Sequence, residues 1–329
     1  MGRVPSGRVP VVVMGLGHIG REICRAALAS EEVELVGAVD SAPALVGASL
    51  GEVVGMASTL KVAATLKEAA PKGAVVLHAT SSRLQEVLPQ LLEAVQKGHP
   101  VVSTCEELSF PYLRHPELAE KLDRAAQRAG VSVVGTGVNP GFVFDRLLAT
   151  LGQTLGTVRH VQGLRSVYAG TRREAFQRKV GAGLTEEAFD ALAEKDGVGH
   201  VGLVESAALC ALGLGLDCDD FEEELVPLLA EEDFKGSPIP VAKGRVAGVH
   251  QTAVGLQDGQ ERVRLELTLA VGAEALDRLV LEGDSRLTVE VPGGIPGDSA
   301  TAHLVVHAAP RLTAASPGLL TVLDLPAGR

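Results

Sequence analysis

Apolar and polar positions alternate in blocks along the first half of the chain. Val11-Val12-Val13-Met14 is an unbroken apolar run, the pattern of a parallel strand buried on both faces. Ile23, Cys24, Ala27 and Leu28 then recur at helical spacing. Val33 to Val39 reads as a second strand and Leu60 to Ala63 as a weak short one. Ala74 to Ser82 is a buried strand that ends in hydroxyl residues. Leu84, Val87, Leu88, Leu91, Leu92 and Val95 place one apolar side on a helix, which Gly98 caps. His99 to Thr104 is the next strand, Pro116 to Ala129 a helix closed by Gly130, and Val131 to Gly135 a further strand. This alternation predicts a doubly wound parallel sheet of the Rossmann kind, an α/β fold.

After about Asp145 the pattern changes. Thr157 to Ala169 reads as a long strand, Thr171 to Asp196 as polar and helix-prone, and Val201 to Leu214 as an apolar helix. From Lys243 the chain is strand-rich. Arg245 to Leu256 and Arg262 to Val271 flank Gln257-Asp258-Gly259-Gln260, whose Asp-Gly signals a hairpin, and Arg286 to Val291 is a third strand. A second α+β domain built on an open, largely antiparallel sheet is expected, with one face in need of cover that a partner subunit would supply. Asp298 reads as an N-cap for a helix through Thr301 to Val306 that returns to the first domain. The expected division is 1–142 with 298–329 as the dinucleotide-binding domain and 143–297 as the substrate and dimerisation domain.

Composition narrows the classes. The 329 residues are 46% hydrophobic, ample for two cores, and no apolar run approaches the roughly 20 residues of a membrane span. The net charge of −11 has no basic cluster to offset it, which argues against a nucleic-acid partner. Cys24, Cys105, Cys210 and Cys218 lack metal or disulfide spacing and read as reduced thiols in a cytosol. Met1-Gly2-Arg3-Val4-Pro5-Ser6 formally fits an acylation signal. The plainer reading is a frayed leader, since the strand follows too soon for a signal peptide.

Against that background one stretch stands out. The first apolar run enters Gly15-Leu16-Gly17-His18-Ile19-Gly20, a Gly-x-Gly-x-x-Gly between a strand and a helix. Gly15 allows the tight turn, Gly17 admits a pyrophosphate to the backbone, and Gly20 lets the helix pack on the strand. The helix N-terminus offers free N–H groups to the phosphates. Asp40 ends the second strand 20 residues after Gly20, the usual place for a carboxylate on the adenosine ribose. The alternative is a structural turn with Asp40 as a helix cap. A 2′-phosphate would be repelled by Asp40, and Ser41-Ala42-Pro43 offers no arginine, so NAD is favoured and NADP remains possible.

Ligands of open parallel sheets bind at the carboxyl ends of the strands, and polar residues gather there. Ala79, Thr80, Ser81 and Ser82 follow one strand and Thr104 the next; these are candidates for the nicotinamide half of the cofactor, with N-capping of the following helix as the rival role for 80–82. Glu106 directly follows a buried strand. Partial desolvation there suits a carboxylate to proton transfer, while a first-turn or capping acid is the alternative, which Glu107 fits better. Cys105 as a nucleophile is disfavoured by its two carboxylate neighbours. Asn139-Pro140-Gly141 reads either as the start of a helix facing the cleft, with Asn139 on cofactor or substrate, or as a plain turn. His200 reads as an N-cap group or a cleft residue, and Tyr168 as a cleft or packing residue. His303 and His307 are one turn apart with no third ligand in view, so no metal is expected.

Several stretches together resemble the 2,4-diaminopentanoate dehydrogenase family and the native amine dehydrogenases related to it, within the dihydrodipicolinate-reductase-like group. They are Gly15 to Gly20, Val102-Ser103-Thr104-Cys105-Glu106-Glu107-Leu108, Gly135-Thr136-Gly137-Val138-Asn139-Pro140-Gly141-Phe142, Lys179 to Thr185, Gly199 to Ser206 and Pro317 to Thr321. The resemblance implies an NAD(P)-dependent amine dehydrogenase, a homodimer, with Glu106 as acid/base and an amine or ketone plus ammonia as substrates. Tyr168, His200 and Asn139 are the expected substrate contacts; a diamino acid would also need a cation, for which Arg165, Arg172, Arg173 and Arg178 are candidates. The His-His pair and lysine motif of true dihydrodipicolinate reductases is missing, and Glu106 stands where homoserine dehydrogenases place a lysine. The nearest rival is a reductase or dehydrogenase of an oxo or hydroxy compound. A nucleotide-binding regulator without turnover is the rival from another class.

Overall fold

A computed structural model describes residues 7–328; the acylation or leader segment 1–6 lies outside them. In chain order the elements begin with β1 (Val9–Met14), α1 (His18–Ala29), β2 (Val33–Val39), α2 (Leu50–Val54), β3 (Val62–Ala63), α3 (Leu66–Ala69), β4 (Val75–His78), α4 (Leu84–Gln96), β5 (Val101–Ser103), α5 (Pro116–Ala129) and β6 (Ser132–Gly135). They continue with α6 (Arg146–Gly152), β7 (Val158–Tyr168), α7 (Glu174–Lys179), α8 (Glu186–Ala193), α9 (Leu203–Leu214), β8 (Asp220–Leu229), β9 (Val246–Gln257), β10 (Gln260–Ala270), β11 (Leu276–Gly283), β12 (Arg286–Pro292), α10 (Gly297–Leu312) and β13 (Gly318–Leu320). The chain divides into two compact units, Met1–Arg146 with Pro296–Arg329, and Leu147–Ile295.

The first unit holds a parallel sheet in the order β13-β6-β5-β4-β1-β2-β3. This is the expected doubly wound sheet, with its topological switch between β1 and β4. Val11, Val12 and Val13 are fully buried, as are Val75, Val76 and Leu77 of β4. Burial on both faces explains why these strands are continuous apolar runs. The apolar side of α4 (Leu84, Val87, Leu91 and Val95) packs into the same core. α10 lies against α1, and β13 extends the sheet beyond β6.

The second unit is a six-stranded mixed sheet, β12-β11-β7-β10-β9-β8, in which only β7 and β10 run parallel. The Asp-Gly hairpin is present, with Asp258 and Gly259 at φ 51° and 71° joining β9 to β10. α9 packs on β8, β9 and β10. On the buried side sits one ion pair, Arg165 Nη1 to Asp277 Oδ2 at 2.6 Å. Both side chains are buried. The second guanidinium nitrogen donates to Ile295 O at 2.6 Å, and Ile295 N donates to Asp277 Oδ2 at 2.8 Å.

Several local expectations need correction. No helix begins at Asn139-Pro140-Gly141: the chain runs through turns to α6 at Arg146. Its N–H groups are taken within the turns and by one distant hydroxyl. Val138 N donates to Thr301 Oγ1 (3.1 Å), Gly141 N to Asp145 Oδ2 (2.7 Å) and Val143 N to Val138 O (2.9 Å). Asp298 is not an N-cap; Pro296 holds that position and Asp298 lies in the first turn of α10. His200 is not an N-cap either, because α9 starts at Leu203 behind Gly202, whose φ of 98° suits glycine. Thr80, Ser81 and Ser82 do not cap α4, whose N-cap is Arg83. The stretch from Thr171 to Asp196 is helical as expected, in two short helices parted by Gly181 and Gly183, both at positive φ. Three strands were unforeseen, β8, β11 and the short β13. β8 has three consecutive glutamates and a proline, poor strand formers that an edge tolerates. Among the described residues no helix is long and apolar enough to cross a membrane.

Removing one partner of a buried ion pair strands the other. Asp277→Ala is expected to cost about 3–5 kcal/mol, read as a lower urea midpoint of the intact protein. The double replacement Arg165→Met with Asp277→Leu recovers most of the loss.

Candidate active site

The carboxyl edge of the first sheet carries the polar residues. Gly15 sits at φ +91°, packed so closely under Ala79 and Thr80 that a Cβ would meet the Ala79 carbonyl oxygen at 2.6 Å. A Cβ on Gly20 would overlap the Gly15 carbonyl oxygen, so this glycine fixes the approach of α1 to β1. A Cβ on Gly17 would meet nothing within 4 Å. The three glycines therefore differ as their roles require: two are fixed by packing, and the middle one faces open space. α1 begins at His18 with no acidic residue in its first turn and no side-chain cap, leaving its amides and positive end available to an anion.

Asp40, just past β2, accepts from Leu16 N at 2.7 Å and from Ala42 N at 2.8 Å. Each carboxylate oxygen retains further acceptor capacity for ribose hydroxyls. His18 Nε2 lies 2.9 Å from Asp298 Oδ2, which ties the start of α1 to the start of α10. Asp298 thus has a side-chain role that the capping reading missed.

At the ends of β4 and β5 the side chains bond one another. His78 Nδ1 meets Ser103 Oγ at 2.8 Å, and its Nε2 meets Gln90 Oε1 at 2.9 Å and Thr80 Oγ1 at 2.8 Å. Burial drives the pKa of His78 down to about 4, against the opposing hydrogen bond to Gln90. The ring is neutral at physiological pH. Ser81 hydrogen-bonds Glu86. Thr104 N donates to His78 O at 2.9 Å.

Glu106 opens a 3₁₀ turn, Glu106–Ser109, directly after β5 and is half-buried. Its neighbour Glu107 is only 3% exposed and points elsewhere. Glu107 Oε2 accepts from Leu84 N (2.7 Å) and lies 3.1 Å from His115 Nε2; Oε1 accepts from Arg83 Nη1 (3.0 Å). It caps α4 from a distance, in place of the hydroxyls of 80–82. Burial pushes the Cys105 thiol well above the ordinary range, and the two glutamates push the same way. This thiol is inert as a nucleophile.

Asn139 is 8% exposed in the turn after β6, its peptide to Pro140 in the cis form. The other expected substrate contacts belong to the second unit. Tyr168 ends β7 and is 41% exposed, its ring lying over Gly170. His200 is half-buried. Its backbone is held by the buried Gln251, which accepts from His200 N at 2.9 Å and donates to His200 O at 2.8 Å. Of the four arginines, Arg165 is engaged by Asp277, Arg178 by Glu174, and Arg172 stacks on Phe176 at 4.8 Å. The His303 and His307 rings stack 6.0 Å apart.

Comparison with known proteins gives these features a family. The model of the 2,4-diaminopentanoate dehydrogenase C-terminal domain matches residues 142–329. The 2,4-diaminopentanoate dehydrogenase of Acetoanaerobium sticklandii is 30% identical over 98% of this chain and 94% of its own. The chain belongs to the 2,4-diaminopentanoate dehydrogenase family. The model of the dihydrodipicolinate reductase N-terminus matches residues 9–107, the glycine loop and strands up to the second glutamate. An amine dehydrogenase of Streptomyces virginiae is 24% identical over 97% of this chain and 96% of its own. The structure of an amine dehydrogenase from Mycobacterium smegmatis shares the fold, with a TM-score of 0.84 at 23% identity over 99% of this chain and 98% of that one.

As a member of this family the chain is an NAD(P)-dependent oxidoreductase acting on CH–NH2 groups. Its residues fit the cofactor: an open glycine at a helix N-terminus, and a carboxylate at the end of the second strand. Sequence reading missed His78, Gln90 and Gln251. His78 left one signal, a polar residue closing a run that is otherwise apolar.

The contrast between the glycines is testable. Gly17 has φ −63° and ψ −169°, which any residue adopts. Gly17→Val is expected to keep the melting temperature and weaken NADH binding at least about tenfold by blocking pyrophosphate approach. Gly20→Val is expected to lower the melting temperature itself. Fluorescence titration with NADH and thermal unfolding read the two effects.

Proposed function

We propose that the enzyme catalyses the reversible oxidative deamination of a small amine or diamino acid, with Glu106 as the acid/base. The observation that carries this reading is the place of Glu106. It is the half-buried carboxylate that leaves β5 at the carboxyl edge of the sheet, next to the strand ends where nicotinamide belongs in this fold. Glu107 is engaged in capping and Cys105 is a neutral buried thiol.

The cofactor, when bound, supplies the hydride acceptor. The proton chemistry falls to the chain. Glu106 takes a proton from the substrate ammonium, because only the neutral amine offers a lone pair to the carbon being oxidised. It gives that proton to solvent and, again a carboxylate, takes another from the water that adds to the C=N carbon. This proton passes to the amine nitrogen, which leaves as ammonia, while the new hydroxyl gives its own proton to the carboxylate as the C=O forms. In the opposite direction neutral ammonia adds to the carbonyl carbon, and protonated Glu106 gives its proton to the departing hydroxyl and later to the product amine. Tyr168, His200 and Asn139 are proposed to line the substrate, and Ala79 to Ser82 with Thr104 the nicotinamide half of the cofactor. Asp40 supports NAD over NADP by repelling a 2′-phosphate. The four cysteines are free thiols, in keeping with a reducing cytosol.

A homodimer is part of the proposal. On the face of the second sheet away from α9, one row runs Val254, Arg264, Gln162 and Val280, and the next Thr252, Glu266, Leu164 and Arg278. A second copy laid on this mixed face would cover it.

Three measurements check the reading. Glu106→Gln is expected to bind NADH normally and lose about 10²–10⁴-fold in turnover; wild-type turnover would remove Glu106 from the mechanism. In a panel of ketones and aldehydes that includes 2-amino-4-oxopentanoate, NADH oxidation is expected only with ammonia present. Ammonia-independent oxidation would point to a plain carbonyl reductase. Finally, kcat/KM is expected to favour NAD over NADP by about tenfold or more, and Asp40→Ser to narrow that gap.

A further inference from the structure

The ring of His78 joins the cofactor loop to the turn that bears Glu106. It closes β4 and is 1% exposed. Its hydrogen-bond roles follow from its partners. Gln90 Oε1 only accepts, and it already accepts from Thr80 Oγ1 at 2.9 Å. Nε2 therefore carries the proton, and Nδ1 accepts from the Ser103 hydroxyl. Ser103 Oγ in turn accepts from Cys105 N at 3.1 Å. With Thr104 N bound to the carbonyl of His78, the N–H groups of both residues between β5 and Glu106 are held by one residue, that of Thr104 directly and that of Cys105 through Ser103. On the far side of the ring Thr80 is held beside Gly15, its Cγ2 occupying the space where a Gly15 Cβ would stand.

An apolar side chain would fill this buried site at lower desolvation cost. A fully satisfied polar network does something an apolar residue does not, which is to specify one geometry. We infer that His78 is a positioning residue, which through Ser103 sets the direction in which the Cys105–Glu106 backbone leaves β5 and so the place of the Glu106 carboxylate. This rests on the reading of Glu106 as the acid/base. Glu107 holds the same turn from its other end, on the N-terminus of α4.

The two ring nitrogens can be separated by substitution. His78→Asn puts an amide near the position of Nδ1 and keeps a partner for Ser103. His78→Gln reaches the position of Nε2 and leaves Ser103 without one. Both are expected to lower the melting temperature. Only His78→Gln is expected to lose turnover, by about tenfold or more, since small misplacement of a catalytic group is costly. Its NADH affinity and the KM for the best ketone of the panel stay near wild type, while the pH profile of kcat shifts. Ser103→Ala is expected to match it, and stands in if neither histidine variant folds. Equal kcat in the two histidine variants, or unchanged kcat in Ser103→Ala, overturns the inference. Glu106→Gln run alongside separates the two claims: full turnover there removes the acid/base reading and this inference with it, whereas an inactive Glu106→Gln beside indistinguishable histidine variants removes the positioning role alone.

Discussion

A strand buried on both faces brings its last polar groups to an edge where little water reaches them, and that constraint shapes the first unit. His78 and Ser103 are both almost wholly excluded from solvent at the ends of β4 and β5. Each must find protein partners, because an unsatisfied buried polar group costs about 1–3 kcal/mol. The partners available are one another, Thr80, Gln90 and the peptide N–H of Cys105. Solving the hydrogen-bond problem of two strand ends thereby orders the loop after β4 and the turn after β5. Two adjacent glutamates then part company. Glu107 turns inward to the α4 N-terminus, where its charge is met by a backbone amide, Arg83 and His115. Glu106 stays half-buried at the edge.

The glycine loop answers a second constraint of the same edge. Helix α1 must leave β1 abruptly and pack on it closely, which excludes side chains at Gly15 and Gly20, yet its N-terminus must stay open to an anion, which excludes one at Gly17 for a different reason. In the second unit Arg165 and Asp277 form a buried ion pair. Their pairing is completed by the backbone of Ile295, the last residue before the chain re-enters the first unit.

Legibility in the sequence followed how local each cause was. The parallel sheet was readable because runs such as Val11 to Val13 and Val75 to Leu77 have no amphipathic alternative. The Asp-Gly hairpin and the Gly130 helix stop were readable because a left-handed backbone is a property of one or two residues. Failures came where a distant residue decided the outcome. The capping of α4 by Glu107 spans 23 positions, and the hydroxyls beside the helix lost that role to it. Asp298 was drawn from capping to His18, 280 positions away. β8 was hidden by its glutamates, whose exposure at a sheet edge cannot be read from composition. In place of the helix expected at Asn139, Val138 N donates to Thr301, 163 positions away, and Gly141 N to Asp145. The place of Glu106 at the end of β5 was readable from the buried strand before it, whereas His78 gave only the signal of one polar residue in an apolar run.

Acid/base work at the substrate nitrogen requires the Glu106 carboxylate to reach it. A crystal structure of the enzyme with NAD and an unreactive amine analogue measures this directly. A Glu106 carboxylate oxygen within about 2.6–3.2 Å of the amine nitrogen, or bridged to it by one water, is the expected result. A carboxylate turned to solvent, with another side chain on that nitrogen, would contradict it.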